Sequence, residues 1–515
     1  MLKSIFAVIP VLTILAGNFV KADWPQWRGP DRNGIAADTT PIPVISEEKP
    51  PEQLWVSPEI PSDHDGGHGS LAISNGKVVV AIVWHRDVPT EKRQFSRNVL
   101  SSLGHRSTGK LDPAIVEKME HDRMNLSRRL RGKALDDYAD KWVKDNFDEK
   151  TQLSLGSWVA SRFKKGQAAL PLSLLEEISA HSKHVFQNQA EMEAWVAARD
   201  WTDAQKAEVI SKVPATEKQA NDTVWTLDAM TGKPVWKYES SGHPSGRGSS
   251  STPAVHDGKI YAALSTNIYC IDEETGKEIW KTPLTRKGPA SSPMVAHGKV
   301  FIQQGKLSAF DAQTGELAWE NTDVKSVNSS PNLWKKTVIC NSTKDLIGVS
   351  ADTGETLWKT TGGGDATPVV SGDYVVIPSQ SDGSNLMAYQ LTDAGPEMLW
   401  SKDFVARRYG SSAIIYNDHV YHLGSARHWC LNLKSGEVAW ERPVQSQISS
   451  PILADGKLLV YENRGGLLSM IEASPEDYNV IGKTKVAALY CASPALVGRD
   501  IFFRTKDSVK CFRLQ

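Results

Sequence analysis

The sequence lacks the hallmarks of several common functional classes. Its formal net charge is -1, from 59 basic and 60 acidic side chains, whereas nucleic-acid binding needs a strongly basic surface. The same balance gives no polybasic segment for an anionic membrane surface. No Gly-x-Ser-x-Gly elbow, P-loop or His-Glu-x-x-His motif occurs. The sequence therefore predicts no nucleic-acid partner and offers none of these catalytic motifs.

Cysteine is also scarce. The five cysteines are Cys270, Cys340, Cys430, Cys491 and Cys511. They form no CxxC or CxxCH motif and no adjacent pair, which argues against a c-type haem, a thioredoxin-like site and a zinc knuckle.

Long apolar runs are absent except at the N-terminus. Lys3 precedes an apolar stretch at 5–15, and small residues around Ala22 are typical of a signal-peptidase site. The stretch is short for a membrane span and contains a proline. We therefore predict a signal peptide over 1–22 and an exported protein, periplasmic or extracellular, with a retained anchor helix as the alternative. Asp23 stands where a lipoprotein needs cysteine, so no lipid anchor is expected.

Glycine and tryptophan, by contrast, are plentiful and periodic. The phrase Asp-x-x-Thr-Gly-x-x-x-Trp, with some looser copies, recurs about every forty residues. A Ser/Thr-Pro phrase before a short apolar run has the same period. Apolar runs separated by glycine turns are typical of hairpin strands. Four such strands in about forty residues are typical of one blade of a β-propeller, so the sequence predicts an all-β propeller.

The copies predict eight blades of about 41 residues each. The first blade begins at 69–70 and is completed after a long insertion. The last begins at 492–494 and stops after three strands, so we expect 53–56 to supply its outer strand and close the ring. Seven blades are the alternative, because the seventh copy lacks the glycine and the tryptophan. The tryptophans assigned to inter-blade packing are Trp55, Trp236, Trp280, Trp319, Trp358, Trp400 and Trp440.

One column of small residues tests this register. It lies two positions before the aspartate of each copy and consists of Thr226, Cys270, Ala309, Gly348, Ala388, Cys430 and Cys511. A tightly packed position between blades explains the small size. Equivalent positions in different blades are too far apart for a disulfide, so we expect free, buried thiols.

The predicted domain organisation has four parts. These are a signal peptide at 1–22, an N-terminal leader at 23–50, the propeller at 51–87 and 223–515, and a helical insertion at 88–222. Capping boxes begin at Ser173 and Thr202 and indicate helices in the insertion. Because it follows the second strand of a blade, it should emerge where the Ser/Thr-Pro strands begin. We call that end of the central channel the mouth. A cap over the mouth and a decoration beside the ring are both open.

The mouth is also where we expect a ligand site. The residues preceding each Ser/Thr-Pro strand include His68, Arg247, Asn328, Asp365, Arg407, Arg408, Gln447 and Tyr490. Converging polar groups in a funnel are typical of sites for small anions or peptides, and hydrated loop residues are the alternative interpretation. His64, Asp65 and His68 share a glycine-rich loop, but no third histidine has fixed spacing, so no metal is predicted.

The repeat resembles the PQQ-like (quinoprotein-type) β-propeller family. That family includes quinoprotein alcohol dehydrogenases and the BamB-like propeller lipoprotein of the outer-membrane β-barrel assembly machine. The leader from Asp23 to Gly34, DWPQWRGPDRNG, is similar to the mature start of secreted PQQ-like repeat proteins. The resemblance covers most of 51–87 and 223–515 and implies the fold rather than an activity.

The sequence departs from the dehydrogenases where their chemistry lies. It has no adjacent cysteine pair, and no calcium or catalytic motif can be matched. We therefore expect a non-catalytic binding or scaffold module, monomeric, with a protein, peptide or polymer partner and no cofactor. The alternative is a PQQ- and Ca²⁺-dependent oxidoreductase, with Asp365 and Arg408 as its candidate residues.

Overall fold

The computed structural model describes most of the chain from Asp23 to Gln515. The described ranges are 23–37, 40–109, 111–127, 129–326, 328–379, 385–403, 411–424, 427–443, 450–462, 466–488 and 492–515.

The described strands form eight four-stranded antiparallel sheets, which confirms the eight-bladed propeller. Strand β1 is Glu52–Val56. Blade 1 comprises β2 (Ala72–Ser74), β3 (Lys77–Pro89), β4 (Thr216–Asp228) and β5 (Pro234–Ser241). Blade 2 comprises β6 (Ala254–His256), β7 (Lys259–Ala263), β8 (Asn267–Asp272) and β9 (Glu278–Pro283). Blade 3 comprises β10 (Met294–Ala296), β11 (Lys299–Gln303), β12 (Leu307–Asp311) and β13 (Leu317–Asn321).

The remaining blades follow the same plan. Blade 4 comprises β14 (Asn332–Trp334), β15 (Thr337–Asn341), β16 (Asp345–Ser350) and β17 (Thr356–Thr361). Blade 5 comprises β18 (Val369–Ser371), β19 (Tyr374–Pro378), β20 (Asn385–Thr392) and β21 (Gly395–Asp403). Blade 6 comprises β22 (Ile414–Tyr416), β23 (His419–Leu423), β24 (Arg427–Asn432) and β25 (Val438–Pro443). Blade 7 comprises β26 (Ile452–Ala454), β27 (Lys457–Glu462), β28 (Leu467–Glu472) and β29 (Val480–Lys485). Blade 8 comprises β30 (Ala495–Val497), β31 (Asp500–Arg504), β32 (Val509–Arg513) and β1.

The ring is closed by two strands that lie far apart in the sequence, β1 and β32. Strand β1 pairs antiparallel with β32, with Trp55 opposite Cys511 and Val56 opposite Lys510. The outer strand of blade 8 is therefore supplied from the N-terminal side, and the blade keeps four strands. This pairing covers the outer edge that β32 would otherwise expose.

The recurring turn forms for the reason its composition suggests. In blade 1, one carboxylate oxygen of Asp228 accepts hydrogen bonds from the backbone N–H and the hydroxyl of Thr231. Gly232 adopts a φ of +70°, which an L-residue adopts only with strain. The carboxylate and the glycine thus fix the hairpin that leads into the outer strand of this blade.

The tryptophans lie where one outer strand meets the next blade. The ring of Trp55 lies against Gly232 of blade 1, and the ring of Trp236 lies against Gly276 of blade 2. The indole N–H groups of Trp55, Trp236, Trp280, Trp400 and Trp440 donate to backbone carbonyls of the following blade, at Ala229, Glu273, Ala312, Leu433 and Ser474. Each of these five indoles thus buries apolar area and satisfies a polar N–H, whereas the buried Nε1 of Trp319 has no hydrogen-bond partner among the described residues.

The small-residue column sits opposite these tryptophans. The cross-strand pairs are Trp55–Cys511, Trp236–Thr226, Trp280–Cys270, Trp319–Ala309, Trp358–Gly348, Trp400–Ala388 and Trp440–Cys430. A bulky side chain beside the indole would crowd it, which accounts for the composition of the column.

Four described cysteines are buried and form no disulfide with one another, as expected from the repeat register. They are Cys270, Cys340, Cys430 and Cys511, and Cys491 lies outside the described residues. Burial raises the pKa of Cys270 and of Cys430 to about 12, so both thiols stay protonated at neutral pH.

The insertion is a helical unit on a β-ribbon. Its helices are α1 (Arg97–Ser102), α2 (Pro113–Met124), α3 (Lys133–Asn146), α4 (Glu149–Lys165), α5 (Leu172–Ala180), α6 (Gln189–Ala197) and α7 (Asp203–Lys212). Their apolar side chains form a separate core that includes Phe95, Trp142 and Phe163. Strands β3 and β4 pair as far as Pro89 and Thr216, so residues 216–222 belong to the ribbon and not to the helices. Within the described ranges, no helix combines the length and apolar character of a membrane span.

Candidate ligand site in the central channel

The wall of the channel is held by a belt of hydroxyl groups from the Ser/Thr-Pro phrases. The backbone N–H of Ser70 donates to the hydroxyl of Thr252 at 2.9 Å, and that of Thr252 donates to Ser292 at 3.0 Å. The same contact runs from Ser292 to Ser330, Ser330 to Thr367, Ser412 to Ser450 and Ser493 to Ser70. A hydroxyl before the proline thus satisfies a buried N–H of the preceding blade.

The leader crosses the channel on the far side of this belt, at the end that we call the floor. Trp24 and Ile73 of blade 1 exchange backbone hydrogen bonds, and Val255 of blade 2 donates to the carbonyl of Pro25. Farther along, Gly34 and Ala36 contact Leu453 of blade 7 in the same way. The leader therefore spans the ring, attached to inner strands on both sides.

Arg32 fastens the leader to two more blades. Its guanidinium donates to the carbonyls of Pro331 at 3.1 Å and Pro293 at 2.9 Å, and to Gln26 at 3.0 Å. A further bond of 3.3 Å reaches the carbonyl of Ser292. Every nitrogen of this guanidinium thus has an acceptor. Burial lowers the pKa of Arg32 to about 9, so the group is still cationic at neutral pH.

Arg28 reaches the inner strand of blade 6 but is less well satisfied. Its Nη2 donates to the carbonyls of Asn33 at 2.8 Å and Ala413 at 2.6 Å. Its Nε and Nη1 are buried and have no hydrogen-bond partner. Burial first, and then the nearby charge of Arg32, lower the pKa of Arg28 to about 9. No described carboxylate lies within ion-pair distance of either arginine.

A third buried arginine holds the loop at the mouth that precedes blade 1. Arg504 donates to the carbonyls of Gly69 at 2.8 Å and Pro61 at 3.0 Å, and to the hydroxyl of Ser62 at 2.7 Å. Within that loop, His68 lies 3.0 Å from a carboxylate oxygen of Asp63. The buried His68 is therefore part of a loop that is anchored from blade 8.

The ribbon of the insertion leaves the ring beside this loop. Lys218 bridges the carboxylates of Asp65 and Asp87, at 2.8 and 3.0 Å. His85 accepts hydrogen bonds from the backbone N–H groups of Ser245 and Gly246, which lie before the inner strand of blade 2. Burial lowers the pKa of His85, which keeps the imidazole neutral as this acceptor role requires. The ribbon therefore emerges on the mouth side of the ring.

The other sequence-predicted mouth residues are only partly described. Asn328 and Asp365 are half-buried and come just before the inner strands of blades 4 and 5. Arg247 lies in a single 3₁₀ turn, Gly246–Gly248, before blade 2. Arg407, Arg408, Gln447 and Tyr490 lie outside the described residues. The described residues therefore do not test whether the side chains predicted from the sequence converge at the mouth.

The Ca²⁺ site implied by the quinoprotein resemblance is not seen among the described residues. Within the described part of the chain, no three His, Cys, Asp or Glu side chains converge in a way that could hold Ca²⁺. The described cysteines occupy separate blades. Asp365 is not part of such a donor set, and Arg408, the other candidate from the sequence, lies outside the described residues.

Sequence reasoning missed Arg28, Arg32 and Arg504. Arginines in a Gly- and Pro-containing leader are ordinarily solvated, and nothing local indicates burial. The compactness of the segment is visible only in the structure, where Arg28, Gly29, Arg32 and Gly34 all adopt positive φ, as in a tightly folded segment and not an extended linker.

Comparisons with known proteins agree on one family. A family model described as outer membrane protein assembly factor BamB matches residues 200–359 and 265–513. The chain is 25% identical over 316 residues to the outer membrane protein assembly factor BamB of Moranella endobia, covering 55% of this chain and 78% of that protein. The corresponding Yersinia pestis protein is 24% identical over 266 residues, covering 47% of this chain and 65% of that protein.

A match in sequence to a dehydrogenase covers a shorter stretch. The dehydrogenase subunit of a quinone alcohol dehydrogenase from Gluconobacter oxydans is 30% identical over 131 residues, which is 21% of this chain and 17% of that protein. Among solved structures, BamB from Moraxella catarrhalis aligns with a TM-score of 0.46 at 15% identity, covering 57% of this chain and 93% of that one. The fold assignment itself rests on the sheet topology.

Proposed function

The chain belongs to the PQQ-like repeat family of the outer membrane protein assembly factor BamB, and from this premise we propose that it is an exported, non-catalytic β-propeller. It acts as a binding or scaffold module for a protein, peptide or polymer partner, in the periplasm or outside the cell, and works as a monomer. Its relatives in this family are named as assembly factors, which supports a binding role over catalysis.

The observation that carries the proposal is the asymmetry of the channel. The leader crosses the floor and contacts the inner strands of blades 1, 2, 3, 4, 6 and 7. The ribbon of the insertion rises beside the mouth, through His85 and Lys218. A partner is therefore expected at the mouth, where the helical insertion caps or flanks the site.

The proposal is tested by photo-crosslinking in the exporting cell. A crosslinker at Asn328, at the mouth, should capture a partner. A matched crosslinker at Asp257, in the exposed turn that follows the inner strand of blade 2, should not. Replacing residues 90–215 with Asn-Gly, a favoured two-residue hairpin turn, should reduce the mouth adduct about tenfold. Equal capture from both positions would refute a mouth-directed role.

The oxidoreductase alternative has its own assay. The purified protein with added PQQ and Ca²⁺ should reduce no dye in the presence of alcohols. Dye reduction that disappears in Asp365→Asn would instead assign a quinoprotein activity to this chain.

A further inference from the structure

His85 ties the ribbon of the insertion to two loops at the mouth. Its backbone N–H donates to the carbonyl of Asp65 at 2.9 Å. Its side chain reaches the loop before the inner strand of blade 2, where Nε2 accepts from the backbone N–H groups of Ser245 at 3.0 Å and Gly246 at 3.1 Å. The residue is 4% exposed, so little water competes for these contacts.

This arrangement fixes the protonation state of the imidazole. A ring nitrogen that accepts two N–H groups carries no proton, so the neutral His85 holds its proton on Nδ1. That Nδ1 is buried and has no hydrogen-bond partner among the described residues. A second proton would place an N–H at Nε2 against two other N–H groups and leave buried donors without acceptors, which is costly. Protonation and the closed contact therefore exclude each other.

The nearest charges do not relieve this conflict. Lys218 of the ribbon bridges the carboxylates of Asp65 and Asp87, at 2.8 and 3.0 Å. Burial lowers the pKa of His85, and the backbone hydrogen bond with Asp65 and the charges of the two carboxylates offset this only in part. Within the described residues, the imidazole forms hydrogen bonds only with the two backbone N–H groups. The other titratable or charged residues on the elements packed against it are Asp63, His64, His68, Arg86, Glu239, His243 and Arg247.

A buried carboxyl at the base of the ribbon responds to pH in the opposite sense. Asp222 accepts hydrogen bonds from the backbone N–H of Ser265 and the hydroxyl of Tyr269, both in blade 2. Burial raises the pKa of Asp222, so the closed structure binds this proton more readily than an open one. Its contribution to the closed contact therefore grows as pH falls, and Asp222 does not account for opening in acid.

From this geometry we infer that His85 is an acid-sensitive latch between the insertion ribbon and the loop that precedes blade 2. Above about pH 6.5 the imidazole is neutral and holds residues 245–246 against the ribbon. Below that pH the open form, in which the imidazole is solvated, binds a proton more readily than the closed form, so the latch opens. The helices carried by the ribbon then have fewer contacts with blade 2 at the mouth.

Hydrogen exchange of the purified full chain measures the latch directly. After correction for the intrinsic rates, protection of the Ser245 and Gly246 amides should fall about tenfold between pH 7.5 and 5.5, because a solvated imidazole gains its proton over this interval. The amide of Thr252 donates to the hydroxyl of Ser292 at 3.0 Å and should keep its protection. Equal changes at all three amides, or no change at Ser245 and Gly246, would overturn the inference.

Two matched variants locate the effect. His85→Gln supplies a carbonyl oxygen that accepts N–H groups without titrating, so it should remove the pH dependence at Ser245 and Gly246. His243→Gln changes a histidine of the same loop and should retain the wild-type dependence. A dependence that persists in His85→Gln would assign it to the carboxylates bridged by Lys218 and reject the latch.

The protonation of the wild-type imidazole covers the case in which His85→Gln does not fold. With isotope-labelled histidine, nuclear magnetic resonance at pH 7.5 should show His85 protonated at Nδ1 and unprotonated at Nε2. A proton on Nε2 at that pH would refute the latch. These measurements need no partner, so this inference and the mouth-directed binding role can fail separately.

Discussion

The junction between blades 8 and 1 and the junction between blades 4 and 5 are held differently at the outer rim. At the first, the Trp55 N–H donates to Ala229 and its ring packs on Gly232. At the second, blade 5 departs from the repeated turn, and even a methyl group added at Gly395 would lie 3.9 Å from the nearest atom of Trp358, its Cβ. A groove of about 270 Å³ is left there.

The inner contact persists where the outer wedge fails. Ser330 of blade 4 still donates to the hydroxyl of Thr367 in blade 5, at 3.1 Å. Neighbouring blades are thus joined by two kinds of contact, the tryptophan packing at the outer rim and the hydroxyl hydrogen bonds at the channel. At the junction of blades 4 and 5 the tryptophan contact is weakened, and the ring is still closed.

The largest effect should come from removing a complete wedge. Trp280 is 8% exposed and hydrogen-bonded to Ala312, so Trp280→Ala should lower the free energy of unfolding by about 4 kcal/mol. Trp358 is half-buried beside the groove, so Trp358→Ala should cost about 2 kcal/mol. Urea denaturation measures both. Equal losses would mean that the two junctions do not differ.

Two glycine substitutions distinguish a clash with the tryptophan ring from the cost of backbone strain alone. A methyl group at Gly232 would lie 2.3 Å from the ring of Trp55, whereas Gly258 has a similar positive φ and no atom within 4 Å. Gly232→Ala should therefore cost about 3 kcal/mol and Gly258→Ala about 1 kcal/mol. If both variants unfold at the same urea concentration, the wedge does not need this close approach.

The hydroxyl belt can be broken at one point without changing side-chain shape. Thr252→Val leaves the buried N–H of Ser70 without its acceptor and should cost about 2 kcal/mol. The adjacent Ser251 has a buried hydroxyl without a partner, so Ser251→Ala should change stability by less than about 0.5 kcal/mol. The same urea titration checks both variants, and a larger loss for Ser251→Ala would contradict the belt.

The smallest effect concerns pH and compares blade 6 with blade 2. His428 of blade 6 lies opposite Leu423 on the neighbouring strand. The equivalent position in blade 2 is Ile268, which lies opposite Ala263. Burial lowers the pKa of His428 to about 4, while the unfolded chain titrates near 6.5. The unfolded state therefore binds more protons below that pH, and stability falls as pH drops.

Between pH 7 and 5.5, we expect His428 to contribute a loss of about 1 kcal/mol. Replacing it with the residue of blade 2, in His428→Ile, should remove this share of the dependence, while the buried His422, whose pKa burial lowers to about 3, keeps its own. Urea midpoints at several pH values measure the slope, and an unchanged slope would show that the pKa of His428 does not differ between the folded and the unfolded chain.

The repeated parts of the fold were predictable because each blade solves the same packing problem. The tryptophan, the glycine of the next blade on which it packs and the small residue on the neighbouring strand recur in most blades. Trp55 could therefore be assigned to blade 8, although no Asp-x-x-Thr-Gly turn precedes it. The ribbon was less predictable. Residues 216–222 are mostly polar, and β4 gains its length by pairing with β3, which no local pattern reveals.

The site was the least predictable part. Its loops differ from blade to blade, so the repeat carries no information about them. Arg28 and Arg32 are buried only because carbonyls from distant blades meet over the channel, against the usual preference of arginine for water. Such burial is a property of the closed ring and not of the leader sequence.

The leader and β1 also set the order in which the molecule can be assembled. The residues that close the floor and complete blade 8 are near the start of the chain, and β32, the partner of β1, is near its end. The pairing of β1 with β32 cannot form before β32 has been synthesised. The seven blades between them must wait, or associate provisionally, until the last strand arrives, so truncation at the C-terminus should leave an open arc that proteases and chaperones recognise.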